Sequence, residues 1–572
     1  MRYPSPGQVI LSGRLASRYQ GNQKYLARVY ETRQAWMLEP FQNRGREWVL
    51  EPRRSGQQEL NWAGEYAGKW LDAATRVAAG SQDKQLKQQA GAFAVSLIAA
   101  QDADGYLGIE MPEKRGRSDW DLWNIKYALT GLLTDYELNQ TPASLQAAIR
   151  GGEWLIGRFG VIADSNSPFY LSPSEGGVSV DIVDQLVRLY QCSHDRRFLD
   201  FVSSILAHFA LLAQMRSTHQ AVLTHAYMLT SYLGGLVKWA VEANQRDELH
   251  WVEQVWDDVA ARHLYPTGSL GFREHLREEA PNDTPIDGGQ PDRHHQETCA
   301  TVEWLFFNAR LHQATGNARY AQAMEHTIYN ALLAAQSMDG LNWMYYTPLR
   351  YEKTWFSGPT SCCYWSGPRG VARLPDWVYA QDGDGIRVNL YESSQANLGV
   401  DGQRVAIRQT ALYPDSGQVT LQIRPEKPLS FTLRLRIPAH SGDIHFKLNG
   451  KPLRPDAADG YYQFRRQWSD DELGMQFGIP AVVRRFLNAE YGVLVRGPEV
   501  LAVDQRDNPA LNLDQIVLQA GMDLAAAEPA DGRRRYVGQV RAEGQLAPVV
   551  FTSYADCGGD AARFRTAFPV LG

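Results

Sequence analysis

The chain has 572 residues, of which 44% are hydrophobic and 21% charged, and a formal net charge of −6, so it is long enough for more than one domain. It has no run of basic residues and no stretch near the ~20 apolar residues of a membrane span. We therefore expect neither nucleic acid nor a membrane as a partner. The start of the chain lacks the pattern of a signal peptide and the five cysteines lack paired spacing, which together favour a cytoplasmic protein.

The first two thirds of the chain show helical periodicity. Apolar residues recur at helical spacing in segments separated by short turns, and Gly316 is placed as the residue that ends one helix. About six successive helix hairpins predict an (α/α)6 toroid over residues 1–384, and toroids of this kind carry their active sites at one end, on the loops between helices. The alternative fold, an open helical solenoid, would need a sharper sequence repeat than this chain shows. The predicted helices span residues 14–40, 60–78, 84–101, 120–138, 144–158, 181–192, 196–213, 222–243, 246–262, 297–314, 317–335 and 366–381.

After about residue 385 the pattern changes to the alternation that is typical of strands with one buried face, as in 385–391, 419–424 and 431–438. Asn449-Gly450 predicts a hairpin turn. The chain is therefore predicted to be an α+β multidomain protein in which the toroid is followed by a β-sandwich domain over 385–505. Additional strands over 506–572 are expected to complete the C-terminal β region.

Four candidate metal ligands occur in two places, Glu297 with Cys299 and the adjacent pair Cys362 and Cys363. Thiolates with one carboxylate suit zinc. Adjacent side chains in an extended segment point to opposite faces, so the pair can bind one metal only if the backbone turns. A vicinal disulfide and two unrelated buried thiols are the alternatives, and the spacing is not that of a zinc finger or ribbon. Cys192 and Cys557 are expected to be ordinary buried thiols.

The 16 tryptophans and 27 tyrosines favour a carbohydrate-binding protein only weakly, because aromatic side chains also form cores. Trp120, Asp121, Trp123 and Asn124 open a predicted helix. They are candidates for the mouth of a sugar pocket, with core packing as the equal alternative.

Several motifs together resemble glycoside hydrolase family 127, the β-L-arabinofuranosidase family, and its sister family 146. The most specific is Glu297-x-Cys299 followed by tandem cysteines, and the similarity extends from about residue 60 to the end of the chain. Further matching segments are Asp104–Leu107, Trp120–Asn124, Ala372–Leu374, Val388–Tyr391, Arg434–Pro438, Leu448–Gly450, Gly460–Trp468 and Arg496–Pro498.

The resemblance implies an (α/α)6 barrel with β-sandwich domains and a retaining hydrolysis in which a zinc-bound thiolate attacks the anomeric carbon. It places the zinc ligands at Glu297, Cys299, Cys362 and Cys363 and the nucleophile at Cys362. The acid/base falls on Glu274 in the loop upstream, with Glu279 as the alternative and Glu278 nearby. Asp283 and Asp287 are expected to be turn residues of that loop.

The resemblance also implies a sugar contact for His225, although a lone histidine on a helix can equally belong to the core. Where family members commonly place two further histidines, this chain has Lys126 and a residue near Ser179. Lys126 therefore suggests the hypothesis of a carboxylated substrate. His294 and His295 are expected to lie in a solvated loop.

The first functional hypothesis is an exo-acting glycosidase that releases a terminal furanosyl sugar such as β-L-arabinofuranose from an oligosaccharide or glycan. The second is a carbohydrate-binding or structural protein with a closed zinc site. A toroid enzyme that uses only carboxylates is a third. The oligomeric state, including a homo-oligomer, stays open.

Overall fold

The computed structural model describes residues 1–44, 61–160, 178–273, 275–276, 294–355, 361–486, 490–559 and 561–571. The chain divides into two compact units. We call Asn22–Ala260 with Gly358–Ala372 the helical unit. Met1–Gly21, Ala261–Ser357 and Arg373–Gly572 form the mixed unit, which contains three further α-helices, a short one at Leu374 and the strands.

The described residues contain fifteen α-helices, and the predicted helical region is confirmed. They are α1 Arg14–Gln42, α2 Glu65–Ser81, α3 Lys84–Ala99, α4 Asp119–Asn139, α5 Pro142–Phe159, α6 Val183–Ser193, α7 Arg196–His208, α8 Ala210–Thr218, α9 Ala226–Glu242, α10 Arg246–Asp258, α11 Thr298–Thr315, α12 Ala318–Thr327, α13 Leu333–Ala335, α14 Cys362–Ala372 and α15 Leu374–Trp377.

Four predicted helices differ from the structure. The one expected over 246–262 ends as an α-helix at Asp258 and continues as a π-helical turn, Val259–His263. The helix expected over 196–213 is broken at Phe209, whose backbone is extended (φ −83°, ψ 107°). The one expected over 317–335 contains a π-helical turn, Ile328–Leu332. The one expected over 366–381 begins earlier, at Cys362, and ends at Ala372, after which come the short helix α15 and a strand from Tyr379.

The strands form three sheets, of seven, five and ten strands, in the described part of the mixed unit. They are β1 Val9–Leu11, β2 Arg350–Tyr351, β3 Tyr379–Asp382, β4 Gly385–Val388, β5 Ser394–Val400, β6 Gln403–Ala411, β7 Gly417–Pro425, β8 Leu429–Arg436, β9 Ile444–Leu448, β10 Lys451–Leu453, β11 Asp456–Ala458, β12 Tyr461–Trp468, β13 Asp471–Phe477, β14 Ala481–Phe486, β15 Tyr491–Arg496, β16 Glu499–Asp504, β17 Ile516–Val517, β18 Ala525–Ala530, β19 Arg533–Ala542, β20 Gln545–Ser553, β21 Phe564–Arg565 and β22 Ala567–Pro569.

The strand order explains the alternation seen in the sequence. The seven-stranded sheet has the order β1-β5-β6-β7-β13-β9-β10 and the five-stranded sheet β11-β12-β8-β4-β3. Along β5 and β7, buried residues alternate with more exposed ones, as expected for strands that cover a core on one side. The predicted hairpin is confirmed, because Lys451 pairs with Leu448 across Asn449 and Gly450, which both have positive φ.

Strands after residue 506 belong to the ten-stranded sheet, in which β16 pairs with β20 and β21, and β15 pairs with β22. Buried Leu494, Leu501, Val540 and Phe551 form part of its core. These strands complete the C-terminal β region. The predicted domain boundaries at 384 and 505 stay predictions.

In the helical unit, α2 and α4 approach closely at Gly68. A Cβ atom at this position would overlap the carbonyl oxygen of Tyr127, so only glycine allows the contact. Side chains next to this contact, including Lys69 and Lys126, are buried in the unit. In the described ranges, no single helix is long and apolar enough to cross a membrane, although the bent pair α7 and α8 passes by length and composition together.

Candidate metal centre and sugar site

Glu297 and Cys299 are held at the start of α11. Glu297 directly precedes the helix, and both side chains are 2% exposed. The Thr298 amide donates to the carbonyl of Tyr345 at 2.9 Å, and its hydroxyl donates to the carbonyl of Met344 at 2.8 Å. These bonds fix the first turn of α11 on the neighbouring segment, so the carboxylate and the thiol have defined positions.

Cys362 and Cys363 form the first turn of α14, with Cys363 fully buried and Cys362 half-buried. Their Sγ atoms are 3.9 Å apart, and neither belongs to a disulfide. Neighbouring residues in a helix are about 100° apart around its axis, so two adjacent thiols can face one point. The helical backbone thus supplies the turn that two adjacent ligands require, and the vicinal disulfide is not formed.

α14 keeps its helical path through Pro368, which cannot donate a hydrogen bond to the carbonyl of Tyr364. The Tyr25 hydroxyl donates to that carbonyl instead, at 2.7 Å. The Asn22 side chain donates to the carbonyl of Pro368 at 3.0 Å, and Arg369 Nε donates to Asp72 at 3.0 Å. Contacts from α1 and α2 therefore fix the helix whose first turn carries the cysteine pair.

Glu297, Cys299, Cys362 and Cys363, which we call the Glu–Cys cluster, form a candidate metal site. One ligand atom from each residue lies within 4.8 Å of all the others. The Cys362–Cys363 distance of 3.9 Å matches the edge of about 3.8 Å that a tetrahedron with ~2.3 Å metal–sulfur bonds would have. All three thiols are in first turns of helices, where the helix dipole favours the thiolate. The donor set therefore fits a soft tetrahedral cation.

The four candidate residues at the start of α4 differ in exposure. Asp121 is buried, accepts from the Tyr106 hydroxyl at 2.6 Å and from the Gly116 amide at 2.7 Å, and burial raises its pKa to about 6. Asn124 is also buried and donates to a backbone carbonyl. Trp123 is buried, whereas Trp120 is half-buried. Trp120 is therefore the one of the four with an accessible ring.

Lys126 belongs to a buried set of charges in the helical unit. Its ammonium group donates to Asp181, and at 3.3 Å each to the hydroxyls of Tyr227 and Ser231. Lys69, 2.8 Å from Glu65, lies near the same aromatic side chains, and the ammonium groups of Lys69 and Lys126 are 4.6 and 4.7 Å from the ring centre of Tyr127.

We call Lys69, Lys126, Glu65 and Asp181 the lysine–carboxylate cluster. All four are at most 3% exposed. Two positive and two negative charges balance, so the cluster is neutral when all four groups are ionised. Sequence reasoning found Lys126 and missed the others. The i, i+4 spacing of Glu65 and Lys69 was the one available signal, while Asp181 is two residues beyond the Ser179 position.

The remaining predicted site residues lie in different environments or outside the described residues. His225 is half-buried directly before α9, with its ring perpendicular to that of Tyr227. His294 is exposed as expected, but the expectation for His295 is wrong, because it is buried and accepts a hydrogen bond from the Leu349 amide at 2.9 Å. The candidate acid/base residues, Glu274 and the alternative Glu279, lie outside the described residues, as do Glu278, Asp283 and Asp287.

The two other cysteines are separate from this site. Cys557 is buried and its thiol donates to the carbonyl of Tyr554, as expected for an ordinary core thiol. Cys192, on α6, is half-buried.

The chain thus combines a helical region and a thiol-rich candidate metal site with β-sheets that follow in sequence. The profile of the β-L-arabinofuranosidase, GH127 catalytic domain matches residues 16–376, and that of the GH127 middle domain matches residues 385–478. The chain therefore belongs to glycoside hydrolase family 127, and it is an enzyme that acts on glycans. Its fold is the α/α toroid and β-sandwich predicted from the sequence.

Three known proteins that are similar to this chain are named as β-arabinofuranosidases. A non-reducing end β-L-arabinofuranosidase of Bifidobacterium longum subsp. longum is 21% identical in an alignment of 541 positions that covers 81% of this chain and 79% of that protein. The structure of a GH127 β-arabinofuranosidase aligns with a TM-score of 0.84 and 20% identity over 100% of this chain and 98% of that one. The GH127 β-L-arabinofuranosidase of Geobacillus stearothermophilus T6 aligns with a TM-score of 0.82 and 20% identity over 98% and 100%.

Proposed function

We propose that this glycoside hydrolase releases terminal β-L-arabinofuranose from the non-reducing end of a glycan, with retention at the anomeric carbon. The observation that carries the proposal is the Glu–Cys cluster, whose four ligand atoms lie within 4.8 Å of one another in a chain of family 127. The activity of the Bifidobacterium relative supports the choice of sugar.

We assign the nucleophile to Cys362, because it is half-buried while Cys299 and Cys363 are buried. Its position in the first turn of α14 favours the thiolate, which is the reactive form of cysteine. Glu297, Cys299, Cys362 and Cys363 would hold the metal, for which zinc is the best match to three sulfurs and one oxygen. Zinc, when bound, would keep the thiols deprotonated and fix their positions.

The thiolate attacks the anomeric carbon and displaces the aglycone, which leaves a sugar bonded to Cys362 through sulfur. An acid must protonate the leaving oxygen, and the same group must later take a proton from the water that releases the sugar. We assign this role to Glu274, with Glu279 as the alternative, on the resemblance to the family.

We assign the sugar contacts to His225 and Trp120, which are both half-buried in the helical unit. Asp121, Trp123, Asn124 and Lys126 are buried, and we propose that they support the sugar site from behind it. Asp181 balances the charge of Lys126, which supports a neutral sugar over the carboxylated one that Lys126 alone suggested.

The test is hydrolysis of an aryl β-L-arabinofuranoside by reduced, zinc-loaded protein and by a Cys362→Ser variant. We expect turnover by the parent protein and a loss of at least about a thousandfold in the variant, because serine at neutral pH is a far weaker nucleophile than a thiolate. Cys192→Ser is the matched control, since this thiol lies in α6 outside the cluster, and it should keep full activity.

Two results would contradict the proposal. Full turnover by Cys362→Ser would exclude the thiolate mechanism. Absence of turnover by the zinc-loaded parent protein on this aryl glycoside would exclude the proposed sugar, while leaving the family unchanged.

A further inference from the structure

A cleft on the helical unit has no role in the proposed hydrolysis. It has a volume of about 500 Å³, within the ~300–1,000 Å³ typical of small-ligand pockets. One side is a single face of α5, which presents Arg150, Glu153, Trp154, Gly157 and Arg158 at helical spacing. The other side is the turn that contains Asp104. We call this the α5 cleft.

The walls of the α5 cleft are held in place by the backbone. Gly105, in the turn, has φ +96°, and a Cβ atom there would lie 2.5 Å from the carbonyl oxygen of Arg150. The turn therefore packs directly onto the backbone of α5. The Gln101 side chain donates to the carbonyls of Gly105 and Ala147, at 2.9 Å each, and ties the same two segments together. The cleft is thus formed before any ligand binds.

Gly157 keeps the α5 cleft open. It lies inside α5, where glycine weakens a helix relative to alanine. A Cβ atom at this position would have no heavy-atom neighbour within 4 Å, so no close packing contact requires the glycine. By contrast, a Cβ atom at Gly152 on the same helix would lie 2.6 Å from a ring carbon of Phe198, so packing explains that glycine. Gly157 therefore leaves open space in the lining of the α5 cleft.

The lining points to a neutral sugar chain. Trp154 is half-buried, and its two aromatic neighbours, Tyr106 and Phe159, meet it at interplanar angles of 61° and 81°, so neither is stacked parallel on the indole. The flat apolar face of an indole suits the apolar face of a pyranose or furanose ring. Around it, Arg150 and Arg158 carry donors, and Asp104 and Glu153 carry acceptors for hydroxyl groups. Glu153 also accepts from Arg197, and Asp104 lies 3.6 Å from Arg115, so arginines outside the lining neutralise both carboxylates.

We propose that the α5 cleft is a second carbohydrate-binding site that holds a neutral segment of a polysaccharide, with Trp154 as its stacking platform. The site binds and performs no chemistry. It goes beyond the proposed function, because none of its residues belongs to the Glu–Cys cluster or to the assigned sugar contacts.

The test is affinity gel electrophoresis of the full-length, zinc-loaded protein in gels that contain soluble arabinan, arabinoxylan, arabinogalactan or, as an anionic probe, dextran sulfate. We expect at least one neutral polysaccharide to retard the parent protein. Trp154→Ala should weaken that retardation at least about tenfold, as expected for the loss of a central aromatic contact. Gly157→Phe, which fills the open space, should weaken it to a similar extent.

Matched controls separate binding from folding and from catalysis. Gly91→Phe, at a second helical glycine with open space around its Cβ position, should leave retardation unchanged. Turnover of the aryl glycoside should be the same in the parent, Trp154→Ala and Gly157→Phe proteins. Failure of the proposed function would appear in that turnover, whereas failure of the cleft proposal would appear only in the gels.

Three results would overturn the proposal. These are no retardation by any neutral polysaccharide, unchanged retardation of Trp154→Ala, and retardation by dextran sulfate alone, which would make the cleft an anion site.

Discussion

The Glu–Cys cluster and the lysine–carboxylate cluster are both largely buried sets of ionisable side chains, but the charges that their members carry differ. Glu297, Cys299, Cys362 and Cys363 all become negative when they ionise. In the second cluster, each lysine lies beside a carboxylate, Lys69 beside Glu65 and Lys126 beside Asp181.

This difference separates a set of side chains that could bind a cation from one that contains charges of both signs. Like charges within a few ångströms of one another cannot all ionise in a buried site unless a cation binds. The four ligand atoms of the Glu–Cys cluster lie close enough together to hold one cation, which would let the thiols ionise together. In the lysine–carboxylate cluster, the Lys126–Asp181 pair joins α4 to the 3₁₀ turn Val178–Ile182. Glu65, which pairs with Lys69 within α2, accepts a hydrogen bond from the indole of Trp123 on α4.

Of the changes considered, removal of the metal should lower the stability of the folded protein most. A ligand that binds only the folded state stabilises it by RT ln(1 + [L]/Kd), which is about 7 kcal/mol when free zinc exceeds its Kd about 10⁵-fold. We expect a chelator to lower the unfolding temperature of the zinc-loaded protein, and zinc, added back, to restore it in proportion to the logarithm of its concentration.

The matched comparison is a Cys299→Ser, Cys363→Ser double variant, measured by thermal unfolding and by zinc content. It should bind little zinc, and a chelator should no longer change its unfolding temperature. An equal response of the parent and the double variant to the chelator would place the metal outside the Glu–Cys cluster.

Removal of one counter-charge from the lysine–carboxylate cluster should cause the next largest loss of stability. Asp181→Asn leaves the Lys126 ammonium group buried without a carboxylate, which typically costs ~3–5 kcal/mol of unfolding free energy. Removal of both charges, in Lys126→Met with Asp181→Leu, should recover most of that loss, because an apolar pair carries no uncompensated charge. The measurement is the free energy of unfolding in urea.

The control for this prediction is an exposed ion pair. Arg196 and Asp200, four residues apart on α7, are 69% and 63% exposed, and Asp200→Asn should change stability by less than about 0.5 kcal/mol. If Asp181→Asn were no worse than this control, the lysine–carboxylate cluster would not be a complete, charge-balanced set.

The sequence predicted the Glu–Cys cluster because adjacent cysteines and a Glu-x-Cys motif are rare and point to one chemistry. It placed the start of α14 too late, because Gly367 and Pro368 are residue types that usually break helices. The structure tolerates the proline, since the hydroxyl of Tyr25 binds the carbonyl that the proline cannot, and Tyr25 is 339 residues distant from Tyr364. No local pattern encodes such a contact.

The lysine–carboxylate cluster could be predicted only in part for the same reason. Lys126 and Asp181 are separated by 55 residues, and Asp181 lies in a short 3₁₀ turn without helical periodicity. The partner of Lys126 depends on how α4 packs in the helical unit. The charge of a single lysine therefore suggested an acidic substrate, whereas the pair supports a neutral one.

Glu392 extends this comparison, because it is a buried carboxylate whose negative charge is only partly compensated by neighbouring groups. It is 1% exposed, it accepts from the Leu15 amide at 2.9 Å, and Arg14 contributes a favourable charge. Burial nevertheless dominates and raises its pKa to about 7. It is thus intermediate between a carboxylate with a full counter-ion and one that needs a bound cation.

The raised pKa predicts a pH dependence of stability. Below about pH 4.5 Glu392 is protonated in the folded and the unfolded chain, and its contribution to stability is fully present. As the pH rises through about 7, the unfolded chain ionises first, so stability falls, by about 3 kcal/mol in all. Glu392→Gln should remove this part of the decline between pH 5 and 8, whereas Glu472→Gln, at an exposed position of β13, should leave the profile of the parent protein unchanged. An unchanged profile in Glu392→Gln would mean that Glu392 is ionised at neutral pH and fully compensated by Arg14 and the backbone amides.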